Sequence, residues 1–273
     1  MKTNIARPVG ISTKMPGLNR ANFALYREHG IRAVEVSVAF EDYDRQDLAA
    51  VVADARAEAI DPWSFHLRFW PFEQYTLQLA DPDARRFAVD YAAEWIKRAG
   101  DSGFAHTVIH PSGEPIEDAE RKDAMERAKE ALARLAGVAR EAGTVLCVEN
   151  LPRTCLAKNS AEMLQLLDAN SLLRSCFDTN HLLQEDPLAY IEAVKEKIVT
   201  LHVSDYDFIN ERHWLPGDGL LDWKVVMKKL DEIGYNGVFM YETGKTKQKA
   251  DGAERILIPA DYRANADMLE SLN

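Results

Sequence analysis

The chain has 273 residues, 47% hydrophobic and 28% charged, which provides for a full core and excludes long disordered stretches. The length is close to the ~250 residues of one (β/α)8 barrel, and no apolar run reaches the roughly 18 residues of a membrane span. A formal net charge of −11 argues against a nucleic-acid partner, whose binding rests on phosphate neutralisation.

The opening stretch MKTNIARPVGISTK lacks the apolar centre of a signal peptide, so a cytoplasmic protein with no membrane attachment is expected. The first strand candidate is PVGIST (8–13), followed by a helix over 18–28 that Gly30 closes. AVEVSV (33–38) precedes a helix over 45–57, and PWSFHL (62–67) precedes a helix over 81–99. That helix carries Phe87, Tyr91, Trp95 and Ile96 at helical spacing. AHTVIH (105–110) leads to a helix over 117–141 with Met125, Ala128, Leu132, Leu135 and Val138 on one face, ended before Gly143. TVLCVE (144–149) is followed by a helix over 161–168 behind Asn159 and Ser160. LLRSCFD (172–178) pairs with 187–196, IVTLHV (198–203) with 222–233 behind Asp222 and before Gly234, and GVFMYE (237–242) with 263–271. Cys147, Cys155 and Cys176 are odd in number and lack metal spacing, so buried free thiols in a reducing compartment are expected.

Strict alternation of strand and helix means parallel strands joined by crossovers. Runs such as TVLCV and GVFMY suit strands covered on both faces. Eight units predict an α/β protein, a single (β/α)8 TIM barrel over 1–273. A doubly wound open sheet is the alternative; it calls for a glycine-rich phosphate turn after the first strand, and GISTKMPG is not one.

In such a barrel the site forms at the C-terminal ends of the strands. The third strand ends in His66, the fourth in His110, the fifth in Glu149 and the sixth in Asp178, with His181 just beyond. The seventh contains His202, its loop carries Glu211 and His213, and the eighth ends in Glu242. His29, at a helix C-terminus, and His106, at a strand start, read as structural. Any one carboxylate here serves equally as a helix cap, and any one histidine as hydrogen-bonded filler. Gathered around one axis, however, the carboxylates repel and raise one another's pKa. A divalent cation removes that repulsion, and mixed imidazole and carboxylate donors suit Zn, Mn, Fe or Co better than Ca.

Five segments carry a resemblance over essentially the whole chain: VEN (148–150), FDTNH (177–181), LHVSD (201–205), ERHWLPGDGLLDW (211–223) and YET (241–243). On them the sequence resembles the xylose isomerase-like barrel superfamily. That group includes sugar isomerases and epimerases, inosose dehydratases, hydroxypyruvate isomerases and the endonuclease IV nucleases. Likeness to the ketose 3-epimerase branch implies that Glu149, Asp178, His202 and Glu242 hold one divalent metal (Mn, Co, Mg or Zn). It implies also that His181 and Arg212 contact substrate hydroxyls, and that Glu149 and Glu242 face each other across the reacting carbon as the catalytic pair. The implied chemistry removes a proton α to a carbonyl of a small carbohydrate, with the metal stabilising the enediolate. Return to the opposite face is epimerisation; return to the neighbouring carbon is isomerisation.

His66, His110 and His213 enter as substrate-binding or ligand residues. Trp70, Phe72 and Trp214 are either apolar walls for the sugar or loop anchors, and Arg68 is either an anion contact or half of a surface salt bridge. The endonuclease IV branch offers a competing reading, in which His66, His110, Glu149, Asp178, His181, His202, Glu211, His213 and Glu242 hold three zinc ions. Against it, NLPRTCLAKN after Glu149 lacks that branch's glycine-rich loop, and VSDYDFIN after His202 lacks its lysine-containing segment. A third reading is dehydration of a keto-sugar or keto-inositol, with His181 or His213 as the acid. Relatives are often dimers or tetramers, so a homodimer or tetramer is expected, although no exposed apolar pattern in the sequence marks the interface.

Overall fold

The computed structural model describes residues 7–13, 18–247 and 253–272. The eight expected strands are present: β1 Val9–Thr13, β2 Ala33–Val36, β3 Asp61–His66, β4 His106–Ile109, β5 Val145–Glu149, β6 Arg174–Asp178, β7 Ile198–His202 and β8 Phe239–Tyr241. They pair in the order β7-β6-β5-β4-β3-β2-β1-β8, all in parallel. Val203 closes the barrel: its N–H donates to Met240 O at 2.8 Å, and its carbonyl accepts from Glu242 N at 3.1 Å. The sheet is thus a nearly closed barrel, and the fold is a single (β/α)8 TIM barrel.

The helices are α1 Arg20–Glu28, α2 Leu48–Ala57, α3 Phe72–Tyr75, α4 Pro82–Ser102, α5 Asp118–Glu141, α6 Ser160–Leu167, α7 Pro187–Val194, α8 Trp223–Glu232 and α9 Pro259–Glu270. Local chemistry sets their ends. Asp81 accepts from Ala84 N ahead of Pro82 in α4, and Gly103 ends that helix at φ 99°, a left-handed conformation that suits glycine. The buried stripe of α4, Ala88, Ala92, Trp95, Ile96 and Ala99, follows the helical period. Trp95 stacks on Phe65 at 5.6 Å and meets Tyr43 edge-on at 5.3 Å, which ties α4 to β3.

Three features differ from the sequence expectation. The last helix starts at Pro259 rather than 263, because Pro fits the first helical position and Asp261 accepts from Ile258 N. The short helix α3 and an antiparallel hairpin, β9 Lys245–Lys247 with β10 Glu254–Ile256, were not expected. The hairpin strands KTK and ERI carry no apolar alternation that would reveal them. Part of GISTKMPG, residues 14–17, lies outside the described residues.

The barrel interior changes character along its axis. At its N-terminal end Ala33, Val238 and Met240 pack with Trp63, which donates to Thr200 Oγ1 at 3.0 Å and lies against His106. His29 is the C-cap of α1, so both histidines set apart in the sequence have structural places. Above this apolar plug the interior turns polar, and at the C-terminal ends it becomes ionisable.

One loop on that face is fixed by a single carboxylate. Asp205, fully buried after β7, accepts from Tyr206 N, Gly217 N, Leu221 N and Trp223 Nε1 at 2.8–3.2 Å. A side chain at Gly219 would put its Cβ 2.2 Å from Asp205 Oδ1, which explains the small residue in PGDG. The loop folded around Asp205 carries Glu211, Arg212 and His213. Asp205→Ala orphans those donors and should cost about 3 kcal/mol or more, read as a lower urea midpoint at unchanged m.

Candidate active site

Glu149, at the end of β5 and 1% exposed, lies where four imidazoles converge. Its Oε2 is 3.1 Å from His66 Nε2 and 3.2 Å from His110 Nε2. Its Oε1 is 3.1 Å from His202 Nδ1 and 3.4 Å from His181 Nδ1. His202 Nδ1 also lies 3.1 Å from Glu242 Oε2 and 3.9 Å from Asp178 Oδ2. Barrel closure alone achieves this meeting, because the residues come from β3, β5, β6, β7 and the ends of β4 and β8.

The asparagines of the sequence motifs hold this geometry. The Asn150 amide donates to Asp178 O at 2.9 Å and accepts from Asp178 N at 2.8 Å, locking β5 to β6. Asn180 Oδ1 accepts from Arg212 N at 3.0 Å and His213 N at 3.3 Å, which holds His213 in a left-handed conformation at φ 50°.

A residue the sequence reading passed over completes the centre. Glu35, mid-strand in β2 and fully buried, accepts from Ser12 Oγ at 2.9 Å and Ser64 Oγ at 2.8 Å. Its Oε2 lies 3.0 Å from His202 Nε2. That nitrogen therefore carries the proton and donates, and Nδ1 is turned toward Glu149 and Glu242. His66 and His181 show the same design: Nδ1 of each bonds a backbone carbonyl, Leu67 O at 2.9 Å and Asn150 O at 2.8 Å. A hydrogen bond that fixes one ring nitrogen and aims the other inward is the usual support of a metal-ligating histidine.

The electrostatics agree. An imidazole lone pair facing a carboxylate oxygen at 3.1 Å repels it unless a proton or a cation intervenes. Burial opposes charge on His202, but Cys176 together with Glu35, Glu242 and Glu149 outweighs it and holds its pKa well above the ordinary value. His66 is likewise raised, against burial, by Glu149. Burial, together with Glu242 and Glu149, pushes the Asp178 carboxyl well above its usual range, while His202 and His110 draw Glu149 well below it despite burial. Asp178 Oδ2 is buried without a hydrogen-bond partner. Donor atoms of Glu149, Asp178, His202 and Glu242 all lie within 4.8 Å of one another. This orphaned oxygen in a mixed donor set fits a divalent cation. Two further sets, His66 with Glu149 and His202, and His181 with Glu211 and His213, meet the same distance limit.

A cavity of about 180 Å³ opens above the cluster, walled by Phe69, Phe72, Leu151, Pro152 and Arg153 and reaching His110, His181, His213 and Glu242. Arg153, another residue not singled out in the sequence, binds Glu114 through Nε at 2.8 and 3.0 Å and lies 3.0 Å from Glu211. Of the expected substrate-binding residues, His66, His110, His181 and His213 meet at this centre. Arg212 and Trp70 do not. Arg212 bonds Asp207 at 2.7 Å on the rim of a second cavity of about 470 Å³ beside β1 and β8, and Trp70 lines a neighbouring groove. Trp214 carries the Arg212 guanidinium over its ring and donates to Glu254. Arg68 lies over the Tyr75 ring and 3.9 Å from Asp44, as the salt-bridge reading has it. The three cysteines are buried free thiols. Among the described residues no helix is long and apolar enough to cross a membrane.

Known proteins share this architecture. A 3-keto-D-glucoside 4-epimerase from E. coli aligns with a TM-score of 0.75 at 16% identity, covering 97% of this chain and 99% of that one. A D-psicose 3-epimerase from Clostridium cellulolyticum aligns with a TM-score of 0.72 at 19% identity, covering 97% and 95%. In sequence, an inosose dehydratase from Lacticaseibacillus casei is 29% identical over 164 residues, 51% of this chain and 54% of that protein. The chain thus spans about half the length of the curated relatives it matches. The family model described as xylose isomerase-like TIM barrel matches residues 23–272, every barrel strand after β1, and the chain belongs to that family.

Proposed function

We propose that the protein is a divalent-metal-dependent sugar isomerase or epimerase that transfers a proton α to a carbonyl. The observation that carries this reading is the set of Glu149, Asp178, His202 and Glu242 donor atoms within 4.8 Å of one another, with Glu149 and Glu242 on the wall of a small cavity. These four residues would hold the ion (Mn, Co, Mg or Zn). When bound, the ion supplies Lewis-acid polarisation of a substrate carbonyl and its neighbouring hydroxyl. Glu242 takes or returns the proton on one face of the carbon, opposite Glu149. His181 and His213 orient hydroxyls, His110 lines the inner wall, and His66 is buried against Glu149. Phe69, Phe72, Leu151 and Pro152 exclude water that would compete for the proton. The two structural neighbours, both sugar epimerases, favour a small carbohydrate substrate.

The test is metal content per chain after purification without chelators, followed by a screen of ketoses and keto-sugars in deuterated water. About one ion per chain, with deuterium entering the α-position, is the expected result. Turnover of an epimerisable sugar without deuterium uptake would sink the proton-transfer mechanism.

The His181, Glu211 and His213 set favours a second reading, a multi-zinc phosphodiesterase. Two or three zinc ions per chain with phosphodiester cleavage would support it. The inosose dehydratase relatives favour a third outcome, elimination of a β-hydroxyl with His181 or His213 as the acid; loss of water from a keto-inositol would reveal it.

A further inference from the structure

The reaction cavity continues sideways. Phe72 and Glu114 line both it and a surface groove of about 450 Å³, whose other walls are Trp70, Glu73, Gln78 and Leu79. Trp70 is 47% exposed, and its ring meets Phe72 edge-on at 4.9 Å. Its carbonyl accepts from Arg68 Nε at 3.1 Å, which pins the backbone that presents the ring. Phe72 is seated against Gly113, where any Cβ would come within 2.5 Å of it, so the shared wall has a fixed position.

We infer that this groove is a second sugar subsite, and that the substrate is a neutral glycoside or short oligosaccharide with one ring in the reaction cavity and the next on Trp70. This rests on the carbohydrate reading of the cavity. The chemistry of the walls selects the ligand. An exposed indole offers its negative π-face to the C–H groups of a pyranose ring. Glu114, clamped by Arg153, and Glu73 supply hydrogen-bond acceptors for hydroxyls. Gln78 Oε1 accepts from Gly113 N at 3.3 Å, and the same side chain carries an amide nitrogen as a donor in the groove lining. None of the six lining residues is cationic and two are carboxylates. The nearby Arg153 guanidinium is already held by Glu114 and Glu211, so a phosphate or carboxylate would meet carboxylate repulsion there. A purely apolar group would leave two carboxylates and an amide desolvated. A ring with apolar faces and a hydroxyl edge matches all of these walls.

Calorimetry on the metal-loaded protein tests the subsite with a panel of neutral di- and trisaccharides in both anomeric series, each against its component monosaccharides. At least one oligosaccharide should bind about tenfold more tightly than its monosaccharides, the size of one good aromatic contact. In Trp70→Ala that ratio should fall to about one, and in Trp70→Phe it should be partly kept. A panel with no oligosaccharide advantage overturns the inference. So does an advantage that survives in Trp70→Ala, which would put the second ring in the cavity beside β1 and β8. Binding is read without turnover, so failure of the isomerase reading stays distinct. Trp70-dependent oligosaccharide binding without α-proton exchange keeps the subsite and removes the isomerase. Exchange on free sugars without a Trp70 effect does the reverse.

Discussion

Glu242→Gln is expected to lower α-proton exchange about 10²–10⁴-fold while most of the metal is retained, whereas Glu149→Gln should lose metal and activity together. The two carboxylates are not equivalent in their surroundings. Both oxygens of Glu149 face imidazole nitrogens at 3.1–3.4 Å, and His202 and His110 draw its charge well below the usual carboxylate range. A carboxylate so stabilised is a strong ligand and a reluctant proton acceptor. Glutamine there keeps the shape but removes the one negative charge on which four imidazoles converge. Glu242 stands on the cavity wall, and both the small cavity and the larger one beside β1 and β8 reach it. It is the carboxylate better placed to meet a substrate carbon. Elemental analysis of both variants beside deuterium exchange checks the split. Glu242→Gln with exchange within about tenfold of the parent chain would show that proton transfer belongs to another group.

The parts of this site that the sequence made legible are those fixed by topology. Once strand and helix alternate eight times, the strand ends gather at one mouth of the barrel, so Glu149, Asp178, His202 and Glu242 could be placed there without coordinates, and the family resemblance set them apart from the other polar residues of that mouth. The motif asparagines were visible as letters, but their work was not. Asn150 clamps the main chain of Asp178, and Asn180 holds the loop of His213, through bonds across 28 and 33 residues. Trp70 was placed near the site by its loop and Arg212 by the family resemblance, yet neither gives a side chain its direction. Arg212 turns to Asp207, and Trp70 turns into the groove. Glu35 was hidden for a different reason. It sits among valines in AVEV, one pleat away from side chains that face the helices. Its partners Ser12, Ser64 and His202 lie 23, 29 and 167 residues away. Only barrel closure brings them together.

Glu35→Ala is therefore expected to weaken metal binding about 10–100-fold, as removal of a group supporting a metal-ligating histidine does. The substitution leaves the Ser12 and Ser64 hydroxyls and His202 Nε2 without their acceptor. The imidazole then exchanges its proton between ring nitrogens, and Nδ1 presents a lone pair to Glu149 and Glu242 only part of the time. Glu35→Gln should do less harm, because its amide oxygen still accepts from Nε2 and its amide nitrogen can donate to a serine hydroxyl. The effect on pH has the opposite sign to the effect on affinity. Glu35 is one of the carboxylates that raise His202 against burial, so protons compete with the metal from above the ordinary imidazole range. Without Glu35 that pKa falls, and the acid limb of metal binding moves to lower pH even as affinity on the alkaline plateau declines. Chelator competition across pH measures both, and imidazole nitrogen NMR reports the tautomer directly. Affinity within twofold of the parent chain in Glu35→Ala, with Nε2 still protonated, would mean that the strand ends alone orient His202.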